Sequence, residues 1–245
     1  MGALEKLAEQ IGLALVEVMA ESGYGPLGQL SAARVAERDV EIRFNRFDSP
    51  LVAVNQQITA VISKKKSPGL VLIGWSNLFS RSIGEVRSQM DGQANLVDTI
   101  SDPNLLGVVE SQEFGQIVAP ERAPLYFSIA APSDIQREVT SFASVVSGAI
   151  SGWFDARSTL SELTELARRP LATPWDQDNP GADRLRSVVI LQILNGREDD
   201  AAILMAWYLN RNSYRNRDSR ERAAAFDVAL AEIFPTYARA RKSIN

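Results

Sequence analysis

The apolar pattern changes character at Pro132-Ser133-Asp134, and this limits the available folds more than any other feature. Before that point, helical stretches mix with short apolar runs that alternate or continue unbroken between Gly and Pro signals. After it, apolar residues recur only at three- and four-residue steps. Strands confined to the first stretch, with only helices in the second, predict an α+β protein rather than repeated βαβ units. The expected organisation is a mixed α/β domain over 1–132 followed by an all-helical domain over 133–245.

Within the first part, Leu4, Leu7, Ala8, Ile11, Leu15, Val18 and Met19 fall on one helical face. DVEIRFNRF (39–47) alternates, with Val40, Ile42 and Phe44 on one side, and predicts a strand with one wet face. Ser49-Pro50 reads as an N-cap and first helical position, predicting a helix over LVAVNQQITAVISKKK that Ser67-Pro68-Gly69 breaks. LVLIGW (70–75), apolar on both sides, suits a central strand. Further strand-like runs lie at 95–100, 105–110, 115–119 and 125–130. Helices are expected at about 133–156, 158–169, 182–195, 198–212, 218–233 and 235–243, with 171–183 as the one long break.

Composition removes much chemistry. The chain has no cysteine and no histidine. Disulfides, thiolate nucleophiles, zinc-cysteine sites, imidazole bases and Ser-His-Asp triads are therefore excluded. A net charge of −4 argues against a surface built throughout for nucleic acid. The N-terminus carries Glu5, Lys6, Glu9 and Glu17 and does not read as a signal peptide, and Lys6 spoils a myristoylation site after Met1-Gly2. With no apolar run of about 18 residues, no membrane span is expected, and the location read from this is cytoplasmic.

GYGPLG (23–28) has the G-x-G-x-x-G spacing of a loop that wraps a dinucleotide pyrophosphate. GYGPLGQLSAARVAER followed by VEIRF resembles the first βαβ unit of flavin- and nicotinamide-binding Rossmann proteins, over roughly a tenth of the chain. That resemblance implies a pyrophosphate at Gly23, Gly25 and Gly28 and a ribose hydroxyl at Asp48. The residues themselves read differently. The segment before Gly23 has helical spacing, and Pro26 removes an N–H where phosphate needs donors. The expectation is a helix ending at a left-handed Gly23, with Gly25-Pro26 preventing continuation. No cofactor, metal or catalytic residue is assigned.

MAWYLNRNSYRNRDSRER (205–222) gathers Trp207, Tyr208, Arg211, Tyr214, Arg215, Arg217, Arg220 and Arg222. Arginine beside aromatic rings serves protein partners, and also phosphate contacts with base stacking. The plain alternative is a helical surface on which these arginines pair with nearby acids. FASVVSGAISGWF (142–154) carries small residues at helical spacing, Ala143, Ser147 and Ser151 with Gly148 and Gly152, which fit close helix packing or a self-association contact anchored by Trp153. Ser63-Lys64-Lys65-Lys66 matches S-x-x-K without its partner motifs, and Asp176 to Asp183 lacks the ligand pattern of a calcium loop. The scattered acids Asp91, Asp98, Asp102, Glu110 and Glu113 lack the lysine a nuclease site carries. The function expected is a non-catalytic interaction or assembly protein acting through its helical half. The alternatives are polyanion or nucleic-acid binding at 207–222, and a nucleotide-dependent enzyme using 23–28.

Overall fold

The structure is a computed structural model describing residues 2–28, 39–46, 54–64, 69–90, 106–122, 124–170, 180–212, 214 and 218–244. It is an α+β protein: strands occupy the first half, and after the last strand every described element is helical. The contacts divide the chain into two compact units that interleave along the sequence. The first takes residues 1–49, 55–78 and 111–156, and the second takes 50–54, 79–110 and 157–245. The boundary at 132/133 thus marks a change of element type, while the compact units draw on separate stretches on both sides of it.

The first unit opens with α1 (Ala3–Glu21), whose Leu7, Ala8, Ile11, Leu15 and Met19 are buried, as their spacing predicts. Gly23 follows at φ +80°, and the chain enters the short β1 (Gly25–Leu27). The sheet runs β1–β2–β3–β4–β5, with β6 also paired to β4, where β2 is Val40–Arg46, β3 Asn55–Ser63, β4 Leu70–Phe79, β5 Val108–Glu113 and β6 Phe127–Ile129. β2 and β3 are antiparallel with Phe44 opposite Ile58, Ile42 opposite Ala60 and Val40 opposite Ile62. All six are buried, so one face of the sheet is apolar.

α4 (Ile135–Val145) packs on β6 and α1, and its Phe142 ring lies 5.4 Å from Phe127 and 5.1 Å from Phe114. A π-helical turn, Val146–Ile150, carries α4 into α5 (Ser151–Asp155). The opposite face of the sheet is polar. Gln57 donates to Asn45 at 3.1 Å, Asn77 donates to Thr59 at 3.0 Å, and Ser111 donates to the Asn77 carbonyl oxygen at 2.6 Å.

Two expected elements are of the other type, and β1 and the helix Arg81–Met90 are not among those expected. The helix predicted over 51–66 is instead β3 across its described core. Gln56, Ile58, Ala60 and Ile62 are buried alternately, and the ladder to β2 overrides the apparent helical spacing. The strand predicted at 115–119 is the helical turn α3 (Phe114–Val118). Phe114 sits against Gly74, where a Cβ would lie 2.3 Å from its ring, and Ala119 N–H closes the turn on the Gly115 carbonyl at 2.9 Å. The strand-like run at 95–100, the segment QLSAARVAER and the Ser49-Pro50 cap lie outside the described residues.

The second unit is built on α7 (Ala182–Leu194), in which every residue from Arg184 to Ile193 is buried. It packs with α2 (Arg81–Met90), α6 (Leu160–Arg168) and α8 (Glu198–Leu209), while α9 (Arg220–Ile233) and α10 (Pro235–Ile244) complete the group. Ser80 caps α2, its Oγ accepting from Ile83 N–H at 3.3 Å. Arg87 on α2 is buried and donates to the Leu106 and Asp183 carbonyls and to Ser187 Oγ. Burial pushes its guanidinium down to about 10, with Asp183 opposing the shift. It therefore remains a cation at neutral pH.

Candidate interaction surface on the helical half

After its acidic first turn, α8 reads AAILMAWYL, apolar around its whole circumference. A helix of that composition is normally enclosed on all sides. Ala201, Ala202, Leu204, Met205 and Tyr208 are enclosed, but Ile203 is 48% exposed and Trp207 only half-buried. The Arg211 guanidinium lies 5.0 Å from the Trp207 ring centroid and that of Arg168 lies 5.9 Å away. These cation–π contacts hold the indole in place and add positive charge around it. Arg168 also meets Glu165 at 3.8 Å, an exposed pair that contributes little.

Several of the residues that the sequence groups with Trp207 serve the core. Tyr208 is 2% exposed, and its hydroxyl donates to Asp218, which also receives Arg186 at 2.6 Å. The side chains of Arg186 and Asp218 are 7% and 4% exposed, and the Arg186 guanidinium lies 5.2 Å from the Phe226 ring centroid. Tyr214 donates its hydroxyl to the Tyr208 and Leu209 carbonyls and sets its ring edge-on to Tyr208. Arg220 donates to the Arg211 carbonyl at 3.0 Å, and Arg222 N–H is capped by Ser219 Oγ at 3.2 Å. Arg215 and Arg217 lie outside the described residues. The surface expected of eight residues is therefore corrected: Tyr208 is a core group, because its phenol is the partner a buried carboxylate requires.

The same motif recurs at α9–α10. Tyr237 donates to Asp227, and Arg241 pairs with Asp227 at 2.5 Å. In both triads burial raises the tyrosine pKa above the ordinary phenol range, reinforced by the adjoining carboxylate. A third buried cluster sets Glu110 between Arg157 at 2.9 Å and Arg184 at 3.1 Å. These carboxylates are each bound by arginine, so they serve as structural anchors.

The helix at 142–154 divides differently from its sequence expectation. Trp153 is 6% exposed and donates to Gln112 at 2.9 Å, so it anchors the first unit internally. Ala143 is buried, whereas Ser147, Gly148 and Gly152 face outward and Ser151 is intermediate. Nothing lies within 4 Å of a Cβ built on Gly148 or Gly152. The packing is made instead by Val139, Phe142, Val146 and Ile150.

At 23–28, α1 rather than a strand leads into Gly23, and Gly25 to Leu27 pair antiparallel with Arg43 to Asn45. A pyrophosphate loop requires a strand before its first glycine and a helix opening at the loop. Gly23, at φ +80°, turns the chain from α1 towards β1, and Gly28, also at φ +80°, follows the end of β1. Asp48 lies outside the described residues. Among the described residues no group of three or more acidic side chains is placed to hold a metal ion, and no helix is long and apolar enough to cross a membrane.

Sequence reasoning missed Ile203 and Arg168 as parts of the α8 surface. Ile203 was legible as an apolar residue four positions before Trp207, but Arg168 comes from a distant helix and left no local signal. Compared with protein-family models, curated proteins and solved structures, the chain matches none.

Proposed function

We propose that this protein is a non-catalytic interaction module whose helical half docks a protein partner through the outer face of α8. The observation that carries this reading is the exposure of Ile203, one turn before a Trp207 held between two guanidiniums. Tryptophan and arginine around an apolar anchor are the residue types that concentrate binding energy at protein interfaces. A nucleic-acid reading keeps Trp207, Arg211, Arg220 and Arg222 but loses Tyr208, which is buried with Tyr214 set edge-on to it. Glu110, Asp218 and Asp227 are held by arginine, the last two also by tyrosine, which favours structure over acid–base work for these three.

A photo-crosslinking amino acid at position 203, introduced in the source cells, tests the reading. A discrete protein adduct that disappears with Trp207→Ala is expected. Absence of any adduct, or one indifferent to Trp207, would refute it.

A further inference from the structure

The polar face of the sheet in the first unit carries a carboxylate, Glu113, that holds no ion pair among the described residues. Three contacts fix how the end of β5 lies on β4. Ser76 Oγ donates to the Gln112 carbonyl at 3.1 Å, Ser111 donates to Asn77, and Phe114 covers Gly74. All three fit one antiparallel register, which sets Glu113 opposite Trp75 on the face that carries Asn77. Glu113 is half-buried, and its Oε1 is buried without a hydrogen-bond partner. The donors in the next cross-strand row are engaged, since Ser111 donates to Asn77 and Asn77 donates to Thr59. Trp75, by contrast, is 37% exposed.

A carboxylate that is partly desolvated and unpaired gains more from a cation than one in open water. Its neighbour across the strands is an indole, and side chains so paired have Cβ atoms about 5 Å apart. A cation seated over the face of Trp75 therefore lies beside Glu113. A guanidinium suits both at once, because its plane stacks on the ring while its N–H groups donate to the carboxylate. A quaternary ammonium has no N–H to donate, and a lysine ammonium is a point charge that does not stack. Ile73, half-buried and two residues before Trp75 on the same face, with Tyr126 opposite it, receives the aliphatic stem behind the guanidinium. Trp75 and Ser111 both stand exposed, so the place covers one side of a flat group rather than enclosing a small ligand.

We propose that Trp75 and Glu113 form a recognition site for a guanidinium group, presented as an arginine side chain of a partner protein. The site belongs to the first unit and is independent of the α8 reading. Exposed cation–π contacts and open ion pairs are each weak, so a single arginine binds with a dissociation constant on the order of millimolar.

Titration of the full chain with acetyl-arginine amide, followed through the indole N–H resonances by proton–nitrogen NMR, is the test, with Trp75→Phe identifying the Trp75 signal. That signal is expected to move and saturate. Acetyl-citrulline amide, which keeps the shape without the charge, should bind about fivefold more weakly or worse. Methylguanidinium, which lacks the stem, should be weaker by about threefold. Glu113→Gln should weaken the arginine amide about fivefold or more, while an unmoved Trp153 resonance, which reports on its bond to Gln112, shows that β5 is intact. A still Trp75 signal, citrulline binding as well as arginine, or full affinity in Glu113→Gln each overturns the proposal. Methylguanidinium binding as tightly as the arginine amide overturns its assignment to a chain-borne arginine. The comparison of arginine with citrulline uses the wild type, so it decides the matter even if Glu113→Gln fails to fold. Trp207→Ala should leave the titration unchanged, which keeps this site and the α8 surface separately testable.

Discussion

Replacing Asp218 with alanine removes the acceptor shared by Arg186, Tyr208 and the Ser219 N–H. The carboxylate and guanidinium are 4% and 7% exposed, so water cannot readily take the place of either. Breaking a buried ion pair by deleting one member costs about 3–5 kcal/mol, because the other charge is left without compensation. The lost phenol bond adds about 1 kcal/mol, while the retained contact of Arg186 with Phe226 offsets roughly as much. The expected loss is therefore about 3–5 kcal/mol. For a chain of 245 residues that is roughly a 10 °C fall in Tm by scanning calorimetry. Asp218→Asn keeps an acceptor for Tyr208 and should cost about half as much. Arg186→Met combined with Asp218→Leu should cost less than Asp218→Ala alone, since apolar isosteres leave no buried charge. A loss under about 1 kcal/mol for Asp218→Ala, or a double variant at least as damaged, would refute the view of this triad as a desolvated anchor.

The two buried tyrosines predict an alkaline weakness. Folding raises the Tyr208 and Tyr237 pKa values, so the native state keeps protons that the unfolded chain releases above about pH 10. Their stabilisation is complete below that pH and is lost as pH rises further, with a slope of about 1.4 kcal/mol per pH unit for each tyrosine. Urea midpoints should fall from pH 10 to 11.5, and each Tyr→Phe variant should remove half the slope; an unaltered slope in the double variant contradicts the assignment. Gly23→Ala places a side chain at φ +80° in open space, costing about 1 kcal/mol by chemical denaturation, with Gly23→Asn cheaper. Gly107→Ala brings a Cβ to 2.6 Å from the Ser80 carbonyl oxygen and 2.8 Å from the Phe79 ring, so it should cost several times more than Gly23→Ala. Gly148→Ala, outward in a helix with nothing within 4 Å, should instead stabilise by about 0.5–1 kcal/mol, and a loss would mean that bare surface is needed there.

The helical half was largely legible. α6 to α10 fall close to the helices expected at 158–169, 182–195, 198–212, 218–233 and 235–243, because apolar spacing acts within one turn of the chain. α2 was not expected, because the buried Arg87 disguises the inner face it shares with Ile83, Val86 and Met90. β3 was misread because its buried face includes the polar Gln56 and its other face the apolar Val61, which blurs alternation. Only pairing with β2, remote in sequence, resolves it. The site divides similarly. Trp207 and Arg211 could be found from the sequence, but Tyr208 could not be sorted from them without knowing that Asp218 and Arg186 sit behind it.

The interleaving of the two units sets an order of events during synthesis. All described segments of the first unit have emerged once residue 156 leaves the ribosome. Arg87, by contrast, finds acceptors at Asp183 and Ser187, which are 96 and 100 residues later. At about 5–20 residues per second, α2 waits some 5–20 s for the helix that will enclose it. During that interval Ile83, Val86 and Met90 lack α7 and offer nascent apolar surface to chaperones or to neighbouring chains. The hydrophilic Arg87 on the same face makes that wait less sticky than an all-aliphatic helix would.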